Sequence, residues 1–248
     1  MMDTDFESER RKKAGVIGTD PLLNDLSQRW LARAQELGYS YNFDWLGLPI
    51  IQYPQDIVAM QELVWALQPD LIIETGIARG GSAIFYSSLL ELNALCGGPA
   101  DARVVAVDID IRPHNRLALE SHPLSRRLTM IQGSSIDEAI IAEVRRHAAS
   151  RSRIMVCLDS NHTHDHVLAE LRAYAPLVTP GSYCVVFDTL IDDLPPTAIG
   201  DRPWHKGDNP LTALRAYMEE VDDFEIDAAR HGKLQITVAA HGYLRRKS

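Results

Sequence analysis

Short, nearly unbroken apolar runs alternate along this chain with segments whose apolar residues recur every three or four positions. The runs are LIIET (71–75), VVAVDI (104–109), LTMIQG (128–133), IMVCLD (154–159) and SYCVVFD (182–188). Runs of that kind predict strands buried on both faces. The helical spacing over about 81–95, 113–121, 136–149 and 163–175 predicts the helices that cover a parallel sheet. Ahead of them, Leu22, Leu26, Trp30, Ala34 and Leu37 share one helical face, and Gly38 follows as a stop. A second helix, PQDIVAMQELVWALQ, starts with Pro54 in its first turn and ends before Pro69. NFDWLGLPIIQYP (42–54) reads as irregular. After a Pro- and Asp-rich loop (189–208), DNP at 208–210 supplies an N-cap and a first-turn proline for a helix reaching about Val221. FEIDAA (224–229) and LQITVAA (234–240), joined by RHGK, predict a closing hairpin. The expected fold is α/β: a doubly wound, mostly parallel seven-stranded sheet with a C-terminal β-hairpin. A mobile polar tail (1–20) precedes one domain (21–248), whose first part (21–54) is an N-terminal helical extension.

Composition mainly narrows the partners. The chain has 248 residues, 46% hydrophobic and 24% charged, enough for one well-buried α/β core. Its formal charge of −9 provides no basic field to gather phosphodiesters, so nucleic acid is not an expected partner. Cys96, Cys157 and Cys184 are widely spaced, and the last two sit in apolar runs, which suits reduced thiols. The first residues are charged and lack an apolar signal core. No run approaches the roughly 18 apolar residues of a membrane span. A cytoplasmic protein without membrane contact is expected, with the N-terminal helix free to pack on its own core or on a second copy in a homo-oligomer.

The candidate chemistry begins at IIETGIARGGSAIF (72–85), where a strand ends in an acid and runs into glycines 76, 80 and 81. In an open parallel sheet, ligands bind at the carboxyl ends of the strands. Glycine lets the backbone approach a ligand closely, and Ser82 falls in the first turn of the next helix, with its free amides. The pattern is E-x-G-x-x-x-G-G-S and not the pyrophosphate-binding G-x-G-x-x-G. Glu74 would repel a pyrophosphate and attract an amino group, which favours S-adenosylmethionine over NAD. Asp108, ending the next strand, could accept ribose hydroxyls. GSSID (133–137), with Ser134 and Asp137, could reach an adenine.

A second constellation follows strands four and five. CLDSNHTHDH (157–166) closes the fourth strand with Asp159 and then offers Asn161, His162, His164, Asp165 and His166; VVFDTLIDD (185–193) closes the fifth strand with Asp188 and then offers Asp192 and Asp193. Adjacent strands would bring Asp159 and Asp188 together, and two such carboxylates need a proton or a cation between them. Oxygen ligands with open positions suit Mg²⁺. A metal that lowers the pKa of a substrate hydroxyl, with a neutral imidazole from His162 or His164 as base, would prepare that oxygen for methylation. His166 is expected on the helix surface and Asp192 and Asp193 in solvent. Loop 189–208, with Trp204 and His205, could cover an acceptor.

Four segments together, NFDWLGLPIIQYPQDI, LIIETGIARGGSAIFYSSLL, LDSNHTHDHVLAEL and GDNPLTAL, resemble the cephalosporin hydroxylase family over roughly residues 42–220. The resemblance implies the class I methyltransferase fold, with relatives among rhamnosyl and other sugar O-methyltransferases. It implies an S-adenosylmethionine site over Glu74, Gly76, Gly80, Ser82 and Asp108. It also implies a Mg²⁺ site from Asp159 and an acidic pair ending the fifth strand. This chain departs from that pair, having Phe187 before Asp188. The expected activity is S-adenosylmethionine-dependent O-methylation of a small hydroxylated acceptor, with His162, Asp159 and Asp188 as catalytic residues. A tailoring hydroxylase component, a non-catalytic S-adenosylmethionine-binding partner and an NAD-dependent oxidoreductase are the alternatives.

Overall fold

The computed structural model describes residues 4–248. Two helices lead, α1 (Thr4–Thr19) and α2 (Pro21–Glu36), followed by the small hairpin β1 (Phe43–Trp45) and β2 (Leu48–Ile50), then α3 (Pro54–Leu67). The alternating part runs β3 (Leu71–Thr75), α4 (Gly81–Leu95), β4 (Arg103–Asp108), α5 (Pro113–Ser121), β5 (Leu128–Gln132), α6 (Glu138–Ala148), β6 (Ile154–Leu158), α7 (His164–Tyr174) and β7 (Tyr183–Val186). The chain closes with α8 (Pro196–Ile199), α9 (Pro210–Glu220), β8 (Phe224–Ile226), α10 (Ala228–Leu234) and β9 (Tyr243–Arg246). Seven strands form one sheet in the order β5-β4-β3-β6-β7-β9-β8, parallel except where β9 pairs with β7 and β8.

The period of two in the strands divides the core between the two faces. Ile72, Val104, Met155 and Val185 pack with Ile84 and Phe85 on one side; Ile73, Val105, Val156 and Cys184 pack with Leu171, Tyr174 and Leu214 on the other. All five residues of β3 are buried, as expected of an interior strand covered on both faces. The order switches direction at β3, between β4 and β6, so the loops after β3 and β6 lie together at the carboxyl edge where ligands bind. Among the described residues, no helix is long and apolar enough to cross a membrane.

Three expectations need correction. The tail expected over 1–20 is helical from Thr4 to Thr19; residues 1–3 lie outside the described residues. Glu7–Arg10 and Glu9–Lys13 pair along its surface. Near its end Gly18 packs so closely that a Cβ there would lie 2.9 Å from Gly232 Cα of α10. The stretch 42–54, read as irregular, contains the β1–β2 hairpin, turned at Leu46 and Gly47, both with positive φ. The final hairpin is displaced: β8 pairs with Tyr243–Arg246, and the RHGK segment is inside α10, whose N-cap Asp227 accepts from the Arg230 amide. Residues 237 and 238 are drawn away from the sheet by the buried Asp56 carboxylate, which accepts from the Thr237 hydroxyl and the Val238 amide (2.9 Å).

Candidate active site

A cavity of about 330 Å³ opens at the carboxyl edge of the sheet. Its floor comes from the turn after β3 (Gly76, Ile77 and Ser82) and from the loops after β6 and β7 (Asp159, Ser160, His162 and Asp188). Ala198, Ile199, Arg202 and Trp204 of the 189–208 loop wall it, and Gln35 and Tyr41 reach it from the N-terminal extension. No sequence pattern marked Gln35 or Tyr41, because they meet the site only through the docking of the extension, and Arg202 carried no signal within the 189–208 loop beyond its place in it. Thr197 donates to Glu36 (2.9 Å) and Arg202 to the Tyr41 hydroxyl (3.3 Å), so extension and loop are tied together.

The glycine turn has the shape its sequence demands. Gly76 has φ +91°, and a Cβ there would lie 2.0 Å from the Asp159 carbonyl oxygen. Gly80 is the left-handed N-cap of α4, where no side chain caps the first amides. Gly81 lies under Pro49, whose carbonyl oxygen would be 2.3 Å from a Cβ. Beneath this turn Glu74 is 2% exposed, and its Oε2 has no hydrogen-bond partner. Burial pushes its carboxyl up to about 8; the Ser82 hydroxyl draws it partly back and the Asp108 charge adds to the rise. An orphaned buried carboxylate oxygen beside a close-approach turn fits the ammonium group of an amino-acid cofactor.

Asp108 shapes the same turn. Its Oδ2 accepts from the Ile77 and Ala78 amides (2.7 and 3.0 Å) and its Oδ1 from Asp110 (2.9 Å), leaving one acceptor position on Oδ1. Gly76 and Ser82 line the cavity, whereas Glu74, Gly80, Asp108, Ser134 and Asp137 lie outside its lining. Asp137 is committed to capping α6 through the Ala139 amide.

The second constellation assembles around three residues. One ligand atom each of Asp159, His162 and Asp188 lies within 4.8 Å of the other two, a spacing a single divalent cation could bridge. His162 Nε2 is 3.0 Å from Asp188 Oδ2, and the Trp204 indole packs edge-to-face on the imidazole at 4.7 Å between centroids. Burial would raise the Asp188 carboxyl, but the charge and hydrogen bond of His162, with help from Arg202, hold it below the usual range. Asp159 goes the other way: burial first, then the charge on Asp188, push its carboxyl well above the carboxylate range. Asp188 occupies the left-handed region (φ 55°), a conformation unfavourable for a residue with a Cβ. Phe187 points into the core and is 1% exposed, so the end of β7 supplies one acid.

The other candidates fall elsewhere. His164 turns toward α9, its amide donating to Asp208 and its Nδ1 lying 2.9 Å from Thr212 Oγ1. Asp192 is not merely solvated: it accepts from the Gly207 amide and the Asn209 side chain, bracing the loop that ends at the α9 capping box. His205 is exposed and bonded within its own turn. His166, expected on the surface, has its Nε2 3.0 Å from Ser135 and 3.2 Å from Ser160.

Residues 37–247 match the model of the family described as Rhamnosyl O-methyltransferase/CmcI. The chain is 33% identical over 207 residues to a rhamnosyl O-methyltransferase of Mycobacterium leprae (strain TN), covering 82% of each. It is 32% identical over 205 residues to one from Mycobacterium tuberculosis (strain ATCC 25618 / H37Rv), covering 81% of this chain and 76% of the relative. A solved CmcI structure with Mg and SAM superposes with a TM-score of 0.58 at 19% identity, over 84% of this chain and 78% of that one, a likeness of fold.

Proposed function

The chain belongs to the rhamnosyl O-methyltransferase/CmcI family, and we infer that it transfers the methyl group of S-adenosylmethionine to a hydroxyl of a sugar or glycosylated small molecule. The observation that carries this reading is a single cavity joining the glycine turn above Glu74 to the His162–Asp188 pair. The orphaned Glu74 oxygen suits the cofactor's ammonium group, and the uncapped amides of α4 suit its carboxylate. Asp108 Oδ1 retains room for one ribose hydroxyl, where the sequence suggested both.

On the acceptor side, His162 Nε2 faces Asp188, and in the tautomer that carries its proton on Nε2 the Nδ1 lone pair is left to take the proton of the acceptor hydroxyl. Asp188 then stabilises the imidazolium, as a carboxylate does behind any histidine base. Transfer forms the O–CH₃ bond, breaks the S–CH₃ bond and neutralises the sulfonium. Asp159 and Asp188 present oxygens that would hold a divalent cation such as Mg²⁺, with His162 beside them. Bound there, the ion would acidify and orient the acceptor hydroxyl. The cavity lining combines apolar Leu194, Ala198, Ile199 and Val238 with polar Gln35, Gln52 and Tyr41, which suits an amphipathic acceptor such as a deoxysugar.

A pyrophosphate cofactor is disfavoured by the acid under the turn, so NAD should not compete with S-adenosylhomocysteine. The test is calorimetric titration of S-adenosylhomocysteine with and without Mg²⁺, followed by methyl transfer to a phenyl rhamnoside by the purified chain alone. Absence of binding heat sinks the cofactor assignment; binding without turnover on any glycoside leaves only a non-catalytic binding partner.

A further inference from the structure

Behind the cavity floor, α7 carries a stripe of polar residues one helical turn apart: His166, Glu170 and Tyr174. The Ser160 hydroxyl donates to Glu170 Oε1 at 2.7 Å, and His166 Nε2 lies 3.2 Å from the same hydroxyl and 3.5 Å from Glu170 Oε1. That histidine nitrogen is also 3.0 Å from Ser135 Oγ, while the Tyr174 hydroxyl donates to the Ser135 carbonyl at 2.5 Å. Ser135 belongs to the turn after β5, and Ser160 directly follows Asp159 in the loop after β6. One face of one helix therefore pins two strand-end loops. From the opposite side, Gly76 presses on the same backbone, since a Cβ there would lie 2.0 Å from the Asp159 oxygen and 3.0 Å from Ser160 Cα.

As a device for stability alone, this stripe is poorly made. Glu170 is 0% exposed and its Oε2 has no partner. Burying a carboxylate with one oxygen orphaned is costly, and an apolar side chain of similar size would fill the space more favourably. What Glu170 does provide is a fixed acceptor for the hydroxyl of Ser160, a residue of the cavity lining next to Asp159.

We propose that Glu170, acting through Ser160 and steadied by His166, is a positioning residue that fixes the pose of the Asp159–His162 loop toward the acceptor. It touches neither cofactor nor acceptor. The proposal rests on the methyltransferase reading above, and its test separates the two. Full-length wild type, Ser160→Ala, Glu170→Leu and Glu170→Gln are compared for methyl transfer to a phenyl rhamnoside, S-adenosylhomocysteine affinity and thermal stability. Ser160→Ala and Glu170→Leu should each lower kcat by about tenfold or more while changing the S-adenosylhomocysteine Kd by no more than about twofold. Glu170→Leu should be at least as heat-stable as wild type, a split between stability and activity that a merely structural role would not give. Glu170→Gln, which keeps an oxygen for Ser160, should retain most of kcat. The Ser160→Ala/Glu170→Leu double variant should be no worse than the poorer single within about threefold, because the two residues act as one unit.

Activity losses that track stability or cofactor affinity would overturn the proposal. So would a Gln variant as impaired as Leu, or losses that multiply in the double variant. An inactive wild type would instead bring down the methyltransferase reading, and the inference with it.

Discussion

His162 Nε2 lies 3.0 Å from Asp188 Oδ2, and this contact divides the labour between the imidazole's two nitrogens. With Nε2–H facing the carboxylate, Nδ1 is the basic atom. Removing the ring in His162→Ala should lower kcat by about 10²-fold or more. Asp188→Asn should cost about as much for a different reason: the amide can donate to Nε2 and so drive the proton onto Nδ1. Neither change touches the glycine turn, so S-adenosylhomocysteine affinity should stay near the wild-type value in both. Single-turnover methyl transfer alongside calorimetry checks this, and full activity in either variant would remove His162 as the base.

Glu74 gives the cofactor half of the site a proton signature. With its carboxyl raised to about 8 by burial, the side chain is mostly protonated at pH 7 in the free protein. An ammonium group binding beside it requires the anion, so binding should release most of a proton per site at pH 7, and progressively less as pH rises through and beyond about 8. Calorimetry of S-adenosylhomocysteine in buffers of different ionisation heat reads this number directly. Glu74→Gln should abolish the release and weaken binding by about tenfold or more. Heats that do not depend on the buffer would refute the assignment of Glu74 to the amino group.

Gly76 and Gly97 share nearly the same backbone angle, φ +91° and +93°, but only Gly76 is crowded. Alanine at 97 meets nothing within 4 Å and should cost only about 1 kcal/mol, the strain of the left-handed conformation. Alanine at 76 must also displace the Asp159 carbonyl, so a loss above about 2 kcal/mol is expected, together with impaired turnover. Thermal denaturation of the two variants side by side decides; equal losses would mean that contact with the Asp159 loop is unimportant.

The legible part of this molecule was what local pattern controls. LIIET, VVAVDI and IMVCLD are apolar on both faces and became β3, β4 and β6, and the acids at their ends lie at the carboxyl edge as expected. Asp159, His162 and Asp188 could be named because strand ends fix where they emerge. What failed depended on partners distant in sequence. The spacing of LQITVAA looks like a strand, but Asp56, some 180 positions earlier, binds Thr237 and Val238. His166 looked like a surface residue because its partners Ser135 and Ser160 come from two other loops. The polar 4–19 segment has almost no amphipathic pattern of its own, and the close approach of Gly18 to Gly232 is invisible to any local window.

Asp56 offers the sharpest test of that long-range control. Its carboxylate is fully buried and accepts from the Thr237 hydroxyl, the Val238 amide at 2.9 Å and the Tyr243 hydroxyl at 3.2 Å. Asp56→Ala strands three donors in the interior, and at about 1–3 kcal/mol for each unsatisfied group the loss should amount to several kcal/mol. Val238 lines the cavity, so acceptor turnover should suffer with it. The pH dependence has a definite sign. Burial raises the carboxyl to about 6 from an ordinary value near 3.8, so the folded state binds the proton more tightly than the unfolded chain. Its stabilising contribution is therefore complete below about pH 4 and declines as pH rises through about 6. The stability advantage of wild type over Asp56→Asn, measured by denaturation at pH 4.5 and again at pH 7.5, should shrink between the two. An advantage that grows with pH would mean that the Thr237, Val238 and Tyr243 bonds outweigh burial and hold Asp56 ionised.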